Sequence, residues 1–566
     1  MRKGLVAVAV LALLFLFVVA NRGAYEGYFS DDDLDNIGWN RLMQPADYVW
    51  GLITPQYYPH NFRPVGHFIF SAMSRTAGLN FRWYVLLIQF VHLVNALLVW
   101  MLGRRLSLPP LASGAGALFF VFHMGLFEAM WKPMFLFDVY CGLFCLLSML
   151  SYVSRRWVLS FVFFWLAYKS KEHAVMLPAV LCAYEYWLGE RNWKRLAPFL
   201  AVSAMFGLQA VFANHEVGHS YNLSLSPSSL LATVTFYASH VMVFPWLWLL
   251  LPVAAVCIRD RRTWFSLSAF LLLLAPMLAL PNRTFGAYLY APMAFLAIAA
   301  ATAAARAHWG VLLAVFALWL PANYAVLKQN RKAALATAHE NRAYVDQLRK
   351  VTEQWPGVRT FVYDGHPPGL SWWGIQGALR NFLNGGVKLY SVEDKGHTGS
   401  LEAGPLMLLS WDNARRTLST LARAPGAPDF SYIEMTRLMP VWQLEDGWYG
   451  VEGGYRWIRP HATARLYRPE GARQFELYVN VGPQYIHDVQ RSRVHVLIEG
   501  REIGVAEYVR HGWQRTTMEL AEAPAGPVRV ELVAEPAYRP STTDTRVLGI
   551  PVGGFGFPPA SKKELP

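Results

Sequence analysis

The chain has 566 residues, 54% of them hydrophobic and 15% aromatic, with a formal net charge of +13. So apolar a composition excludes an intrinsically disordered chain, and four cysteines in this length exclude a disulfide-stapled scaffold. The positive balance needs no nucleic-acid partner, because its distribution along the chain has a simpler origin in membrane topology.

Up to about residue 327 the apolar residues form runs suited to crossing a bilayer, which takes roughly 20 residues. The first, Leu5 to Ala20, follows Arg2 and Lys3 and has no clear small-residue cleavage site, so it reads as a retained signal anchor. A long loop follows, residues 22–82, with Asp31, Asp32 and Asp33 in succession, then Pro45, Pro55 and Pro59, then Phe62-Arg63-Pro64. Its later part, Val65 to Leu79, mixes apolar residues with His67 and Arg75 and predicts a helix lying in the interface. Eleven spans are expected in all, near 4–21, 83–102, 108–124, 134–153, 157–169, 173–189, 195–213, 229–257, 264–280, 286–305 and 308–327.

In this arrangement Arg2/Lys3, Arg104/Arg105, Arg155/Arg156, Arg191/Lys194/Arg195, Arg259/Arg261/Arg262 and Arg306 fall on one side, the mark of a cytoplasmic face. An odd number of spans then puts the aspartates and everything after residue 327 on the other face. Cys141, Cys145, Cys182 and Cys257 all fall within or at the ends of spans and read as packing residues. The absence of cysteine outside the membrane fits a bacterial inner-membrane protein. His215, Glu216 and His219 lack the i,i+4 histidine spacing of a zinc protease, so no metal site is expected there.

Past residue 327 the chain resembles a soluble protein. Lys328 to Gln354 has helical character, and Val358–Tyr363, Leu370–Leu383, Val387–Val392 and Leu406–Ser410 read as strand, helix, strand and strand of a small α/β unit. From about Gly447, apolar residues alternate with polar ones at Phe475, Leu477, Val479 and Val481, at Val494, Val496 and Ile498, and at Val528, Val530 and Leu532. Such alternation predicts half-buried antiparallel strands, most simply a β-sandwich. The domains expected are a multi-span membrane domain (1–327), a helical linker with a small α/β region (328–445) and a β-sandwich (446–566). In the sandwich, Trp448, Tyr449, Tyr455 and Trp457 are candidates for stacking on sugar rings, with burial in the core the competing reading.

Clustered carboxylates repel one another and cost energy when desolvated, so the Asp31–Asp33 run just beyond the first span calls for a reason. One is general-base catalysis on an alcohol nucleophile. A membrane location points to a lipid-linked donor. If that donor is a sugar on a polyprenyl phosphate, its departing phosphate develops charge that fixed cations must stabilise. Arg63, Lys132, Lys169, Lys171 and Arg283 are the candidates on the correct face. The competing readings are a solvated turn, or a calcium loop through Asp31, Asp33 and Asp35, which lacks the Gly and distal Glu of an EF-hand. Lys171 and Glu172 are also able to pair simply with each other, and Arg63 to anchor its loop to lipid phosphates.

Several landmarks in order carry a resemblance. They are Phe29-Ser30-Asp31-Asp32-Asp33, Phe62-Arg63-Pro64, His92-Leu93-Val94-Asn95, Phe127-Glu128-Ala129 with Trp131, Ser170-Lys171-Glu172 with Leu177-Pro178, and Arg283 with Tyr288-Leu289-Tyr290-Ala291-Pro292. Over roughly residues 1–330 this pattern resembles the GT-C superfamily of polyprenyl-phosphate-sugar-dependent glycosyltransferases, in its protein O-mannosyltransferase and ArnT-like branch. The resemblance implies a polytopic α-helical fold and inverting sugar transfer to a hydroxyl of a cell-envelope glycan, lipid or protein on the outer face. It implies Asp32 as base, with Asp31 or Asp33 in reserve, and Lys171, Arg283 and Arg63 at the donor phosphate. Glu128, Glu172, His92, Tyr288 and Tyr290 are further site candidates on the same pattern. No cofactor is implied, although distant relatives use a divalent metal. The terminal sandwich resembles carbohydrate-binding-like β-sandwich modules, and the alternatives are a transporter or flippase of lipid-linked sugars, for which paired repeat halves would be expected, and a non-catalytic membrane anchor for a carbohydrate-binding module.

Overall fold

The computed structural model describes residues 2–55, 62–213, 223–242, 245–392, 405–424, 426–540, 544 and 546–558. His215, Glu216 and His219 lie outside the described residues. The chain divides into two compact units, Met1–Arg342 and Ala343–Pro566.

The first unit is helical. After α1 (Arg2–Asn21) come three short helices, α2 (Asp31–Trp39), α3 (Pro45–Ile53) and α4 (Pro64–Thr76). The expected interfacial segment is thus helical, opening on a proline that supplies the fixed φ of a first turn. Then follow α5 (Phe81–Arg105), α6 (Pro110–Phe122), α7 (Phe127–Trp131), α8 (Leu136–Val153), α9 (Trp157–Ser170), α10 (Leu177–Trp187) and α11 (Ala197–Ala213). The series continues with α12 (Pro227–Val241), α13 (Leu250–Ile258), α14 (Arg261–Leu278), α15 (Tyr290–Ala304) and α16 (Trp309–Gln354). The segment expected as one span over 229–257 is therefore two helices, α12 and α13. The expected end of the membrane domain at 327 falls inside α16. By length and composition five helical stretches suffice to cross a bilayer among the described residues, or seven if two bent pairs count as single spans.

Their packing follows from small residues and one buried polar knot. A Cβ on Gly116 of α6 would lie 2.4 Å from the Ala297 carbonyl oxygen of α15, so only glycine permits this approach. On α8, Gly142 likewise makes room for the Tyr290 ring. The Tyr290 hydroxyl meets His92 Nδ1 at 2.8 Å and accepts from Asn95 Nδ2 at 3.0 Å, tying α5 to α15 in the middle of the bundle. On the outer faces of α1 and α16 lie exposed apolar side chains such as Leu11, Phe15, Leu313 and Leu318, as a lipid-facing surface requires.

Several of the basic turns contact neighbouring segments. Arg262 Nη1 donates to the carbonyls of Leu106 and Ser107, Arg306 pairs with Asp260 at 3.3 Å, and Arg155 and Arg195 both pair with Glu190.

In the second unit, strands β1 (Thr360–Asp364), β2 (Lys388–Ser391), β3 (Leu406–Asp412) and β4 (Thr417–Arg423) form a sheet in the order β2-β1-β3-β4, parallel except for β4. Helix α17 (Trp372–Leu383) makes the crossover, capped by the Ser371 hydroxyl at its start and by left-handed Asn384 at its end. Two further sheets follow. One, in the order β11-β10-β13-β8, uses β8 (His461–Arg468), β10 (Ser492–Ile498), β11 (Arg501–Tyr508) and β13 (Gly526–Glu535). The other, in the order β12-β9-β14-β7-β6, uses β6 (Trp448–Glu452), β7 (Tyr455–Ile458), β9 (Gln474–Val481), β12 (Gly512–Glu519) and β14 (Pro551–Gly556), with β5 (Tyr432–Glu434) beside β14. Phe475, Leu477, Val479 and Val481 of one sheet and Val494, Val496, Val530 and Leu532 of the other share a single apolar core.

Candidate active site

The aspartate run begins α2, with Ser30 at the N-cap, and its geometry separates the three residues. Asp33 is buried, and its carboxylate accepts from the Ser30 backbone N–H at 2.7 Å, the Ser30 hydroxyl at 2.8 Å and the Met134 backbone N–H. This is a capping arrangement that also fastens the first loop to the segment before α8. Burial nevertheless pushes the Asp33 carboxyl up to about 6, against the donors from Ser30 and Met134. Asp32, one residue earlier, keeps an exposed side chain. It sits among enough protein atoms that desolvation, reinforced by Asp31, raises its carboxyl, while the charges of Arg283, Arg63 and Lys171 pull it down.

Those three cations come from three separate segments, and each is fixed. Arg63, at the N-cap of α4, directs its Nε to both carboxylate oxygens of Glu172 at 3.0 and 3.2 Å and lies 5.2 Å from the Phe137 ring centroid. Burial pushes the Glu172 carboxyl up, but Arg63 and then Lys171 outweigh it and hold the group at about 2. The same pairing raises the Arg63 guanidinium against its desolvation. Lys171, where α9 stops, reaches Asp138 at 2.6 Å, the side chains being 9% and 3% exposed. Its Nζ also lies 4.9 Å from the centre of the Tyr288 ring. That ring is a shared pillar. Its other neighbours are His173 at 4.8 Å and Phe285 at 5.5 Å, and its hydroxyl accepts from Arg283 Nε at 3.3 Å.

Glu128 completes the frame without joining the cation cluster. One oxygen takes Lys132 at 2.7 Å and the other accepts the Gly286 backbone N–H at 3.0 Å, which sets the start of the loop carrying Tyr288. Of the sequence candidates, then, the structure brings together Asp32, Arg63, Lys171, Glu172, Arg283 and Tyr288. His92 and Tyr290 belong instead to the knot inside the bundle. Lys169 is engaged elsewhere, donating to the Thr54 carbonyl at 2.7 Å beside Trp165 and Phe206. Asp138 was missed, although a carboxylate in the first turn of an apolar span is the kind of costly residue that signals a role. Among the described residues no group of three or more His, Cys, Asp or Glu side chains is placed to hold a metal ion.

The arrangement offers an open carboxylate facing fixed positive charge at the edge of an apolar bundle. It has the parts to accept a proton from a neutral group and to neutralise a developing anion.

No family model matches the chain, and no curated protein does. The chain is similar to the crystal structure of ArnT from Cupriavidus metallidurans in the apo state, at 14% identity and a TM-score of 0.48, covering 73% of this chain and 94% of that one. To the structure of ArnT from the same organism bound to undecaprenyl phosphate it is 13% identical, at a TM-score of 0.48, covering 74% of this chain and 96% of that one.

Proposed function

We propose that the helical unit is an inverting glycosyltransferase, moving a sugar from a polyprenyl-phosphate donor to a hydroxyl of a cell-envelope glycan, lipid or protein at the outer membrane face. The observation that carries this reading is Asp32, an exposed carboxylate within the electrostatic reach of Arg63, Lys171 and Arg283. In the step envisaged, Asp32 takes the proton of the acceptor hydroxyl as its oxygen attacks the anomeric carbon. The bond from that carbon to the phosphate oxygen breaks on the opposite face, and the configuration inverts. Negative charge then grows on the departing lipid phosphate, where Lys171 and Arg283, with Arg63, meet it.

The pairing already present matters to this scheme. Asp138 and Glu172 hold Lys171 and Arg63 in place before any donor arrives, so little reorganisation accompanies charge development. The raised Asp32 carboxyl suits a base, since proton affinity grows with pKa. The last two sheets of the second unit, which share one core, we read as a β-sandwich module.

Purified protein in lipid, given radiolabelled polyprenyl-phosphate sugars and a hydroxyl acceptor, should transfer label. Asp32→Asn should reduce the rate on the order of 100-fold or more, in line with general-base contributions. Full activity in a correctly folded Asp32→Asn protein would sink the assignment.

A further inference from the structure

The second unit contains a cavity of about 580 Å³ lined by Trp448, Tyr449, Arg456, Arg459, Arg546 and Asp446 among others, within the roughly 300–1,000 Å³ usual for small-molecule sites. Of its guanidinium groups, Arg546 is charge-matched, pairing with Asp544 and Glu452, both at 2.7 Å. Glu445 at the lining is matched as well, by Arg529 at 3.3 Å and Arg465 at 3.8 Å.

Arg456 is different. It is 5% exposed, and only its Nη1 is used, donating to the Tyr449 carbonyl at 3.0 Å. Its Nε and Nη2 are buried with no hydrogen-bond partner. Burial lowers this guanidinium to about 10, and Asp364 is the one carboxylate whose charge opposes that among the causes at work. Charged donors buried without acceptors cost free energy that a fold does not normally carry without an acceptor arriving from outside. Arg459, exposed at the same cavity, lies 5.8 Å from the Tyr449 ring centroid and makes no ion pair with a described residue. Two guanidinium groups thus lack a carboxylate partner at one cavity, beside an indole, a phenol ring and the carboxylate of Asp446.

We propose that this cavity binds an anionic saccharide, its carboxylate or phosphate group held by Arg456 and Arg459. A planar guanidinium with two free N–H groups matches a bidentate oxyanion. The aromatic lining supplies apolar contact for a sugar ring, and Asp446 accepts from its hydroxyls. Trp448 is partly engaged already, stacking on Phe555 at 5.3 Å and donating to the Thr463 carbonyl, so it forms a wall of fixed position. Tyr455 and Trp457, the other aromatic candidates from the sequence, instead pack against Trp513, Tyr485 and Tyr538. The proposal stands independently of the transferase reading, which rests on the other unit.

The test is calorimetric titration of the full-length protein in detergent with trigalacturonate, glucose 1-phosphate, maltotriose and inorganic phosphate. Trigalacturonate or glucose 1-phosphate should bind at least roughly tenfold tighter than neutral maltotriose and than phosphate alone. Whichever acidic sugar binds identifies carboxylate or phosphate as the anion recognised. Arg459→Gln, an exposed change with little effect on folding, should weaken that binding roughly tenfold, and Arg456→Lys should do so too. Asp32→Asn should leave it unchanged, so a failure here is distinct from a failure of sugar transfer. Equal affinity for maltotriose, equal affinity for inorganic phosphate, no binding of either acidic sugar, or unaltered binding in both arginine variants would overturn the proposal.

Discussion

Asp33 accepts three hydrogen bonds, two from Ser30 and one from Met134, whereas Asp32 beside it faces outward toward charge. Neighbours in a helix point about 100° apart, so one aspartate of a consecutive run is turned inward while the next is not. Asp33→Ala leaves buried donors without an acceptor and should lower unfolding free energy by about 1–3 kcal/mol. Asp32→Asn should leave the melting temperature near that of the parent. A matching loss of stability in both variants would show that the division of labour is wrong. The electrostatics of Asp32 give a second prediction, in pH. The base acts ionised, so transfer should fall as pH drops through its pKa, which burial and Asp31 place above the ordinary aspartate value. Arg283 is among the cations that favour the ionised form. Arg283→Gln should therefore move the acid limb of the kcat/KM profile to higher pH, besides lowering its plateau. An acid limb that stayed fixed or moved down would refute the coupling. The sequence marked this cluster through Asp32, Arg63, Lys171 and Arg283, and the resemblance put Asp32 first, but it kept Asp33 in reserve where the structure turns that residue inward. That distinction depends on Ser30, whose Ser-x-x-Asp spacing to Asp33 is a local capping signal, and on Met134, about a hundred residues away, which no local pattern encodes.

Helix α6 meets α15 through Gly116, where a Cβ would stand 2.4 Å from the Ala297 carbonyl oxygen and 2.8 Å from the Ala301 Cβ. The first contact is with backbone, which has no rotamer to yield. Gly116→Ala should cost about 1–3 kcal/mol, as overpacking does. On the same helix, Gly114 has nothing within 4 Å of its hypothetical Cβ, so Gly114→Ala should be neutral or stabilise by up to about 1 kcal/mol through helix propensity. Thermal unfolding of the two variants in one detergent gives the comparison, and equal effects would contradict it. Elements with a periodic signal were legible, as in the alternation of β9, β10 and β13 and the apolar runs of α5, α8 and α15. Strand β14 was not. Its sequence Pro551-Val552-Gly553-Gly554-Phe555-Gly556 reads as a turn, yet it is buried throughout because its glycines admit the neighbouring Trp513 and Tyr432 rings. The break between α12 and α13 had a local sign that the apolar composition outweighed. The apolar run over 229–257 dominates the pattern, although Pro245, which starts the next helical turn, marks where the first helix has to end.

Across the helical unit, chemistry and topology occupy opposite ends of the same helices. Helix α8 opens with Asp138 in its first turn and is followed by Arg155, while α9 begins after Arg156 and stops at Lys171. Helix α14 begins at Arg261 and leads to Arg283, and α15 runs from the Tyr288 loop to Arg306. An 18-residue helix such as α8 rises about 27 Å, close to the hydrocarbon thickness, so the two groups of charges stand roughly one bilayer apart. By the positive-inside rule we propose that the arginine turns at Arg104, Arg155, Arg262 and Arg306 face the cytoplasm and the Asp32 cluster the other side. In a background with the four native cysteines replaced, Asp32→Cys should react with a membrane-impermeant thiol reagent added to intact spheroplasts. Arg155→Cys, at a side chain 73% exposed, should react only after the membrane is opened. Inverted labelling would place the carboxylate among the cytoplasmic cations' side of the bilayer, away from an outer-leaflet donor, and would remove the basis for sugar transfer there. Labelling of both sites from outside would instead break the link between basic turns and the inner face, on which the eleven-span reading depends.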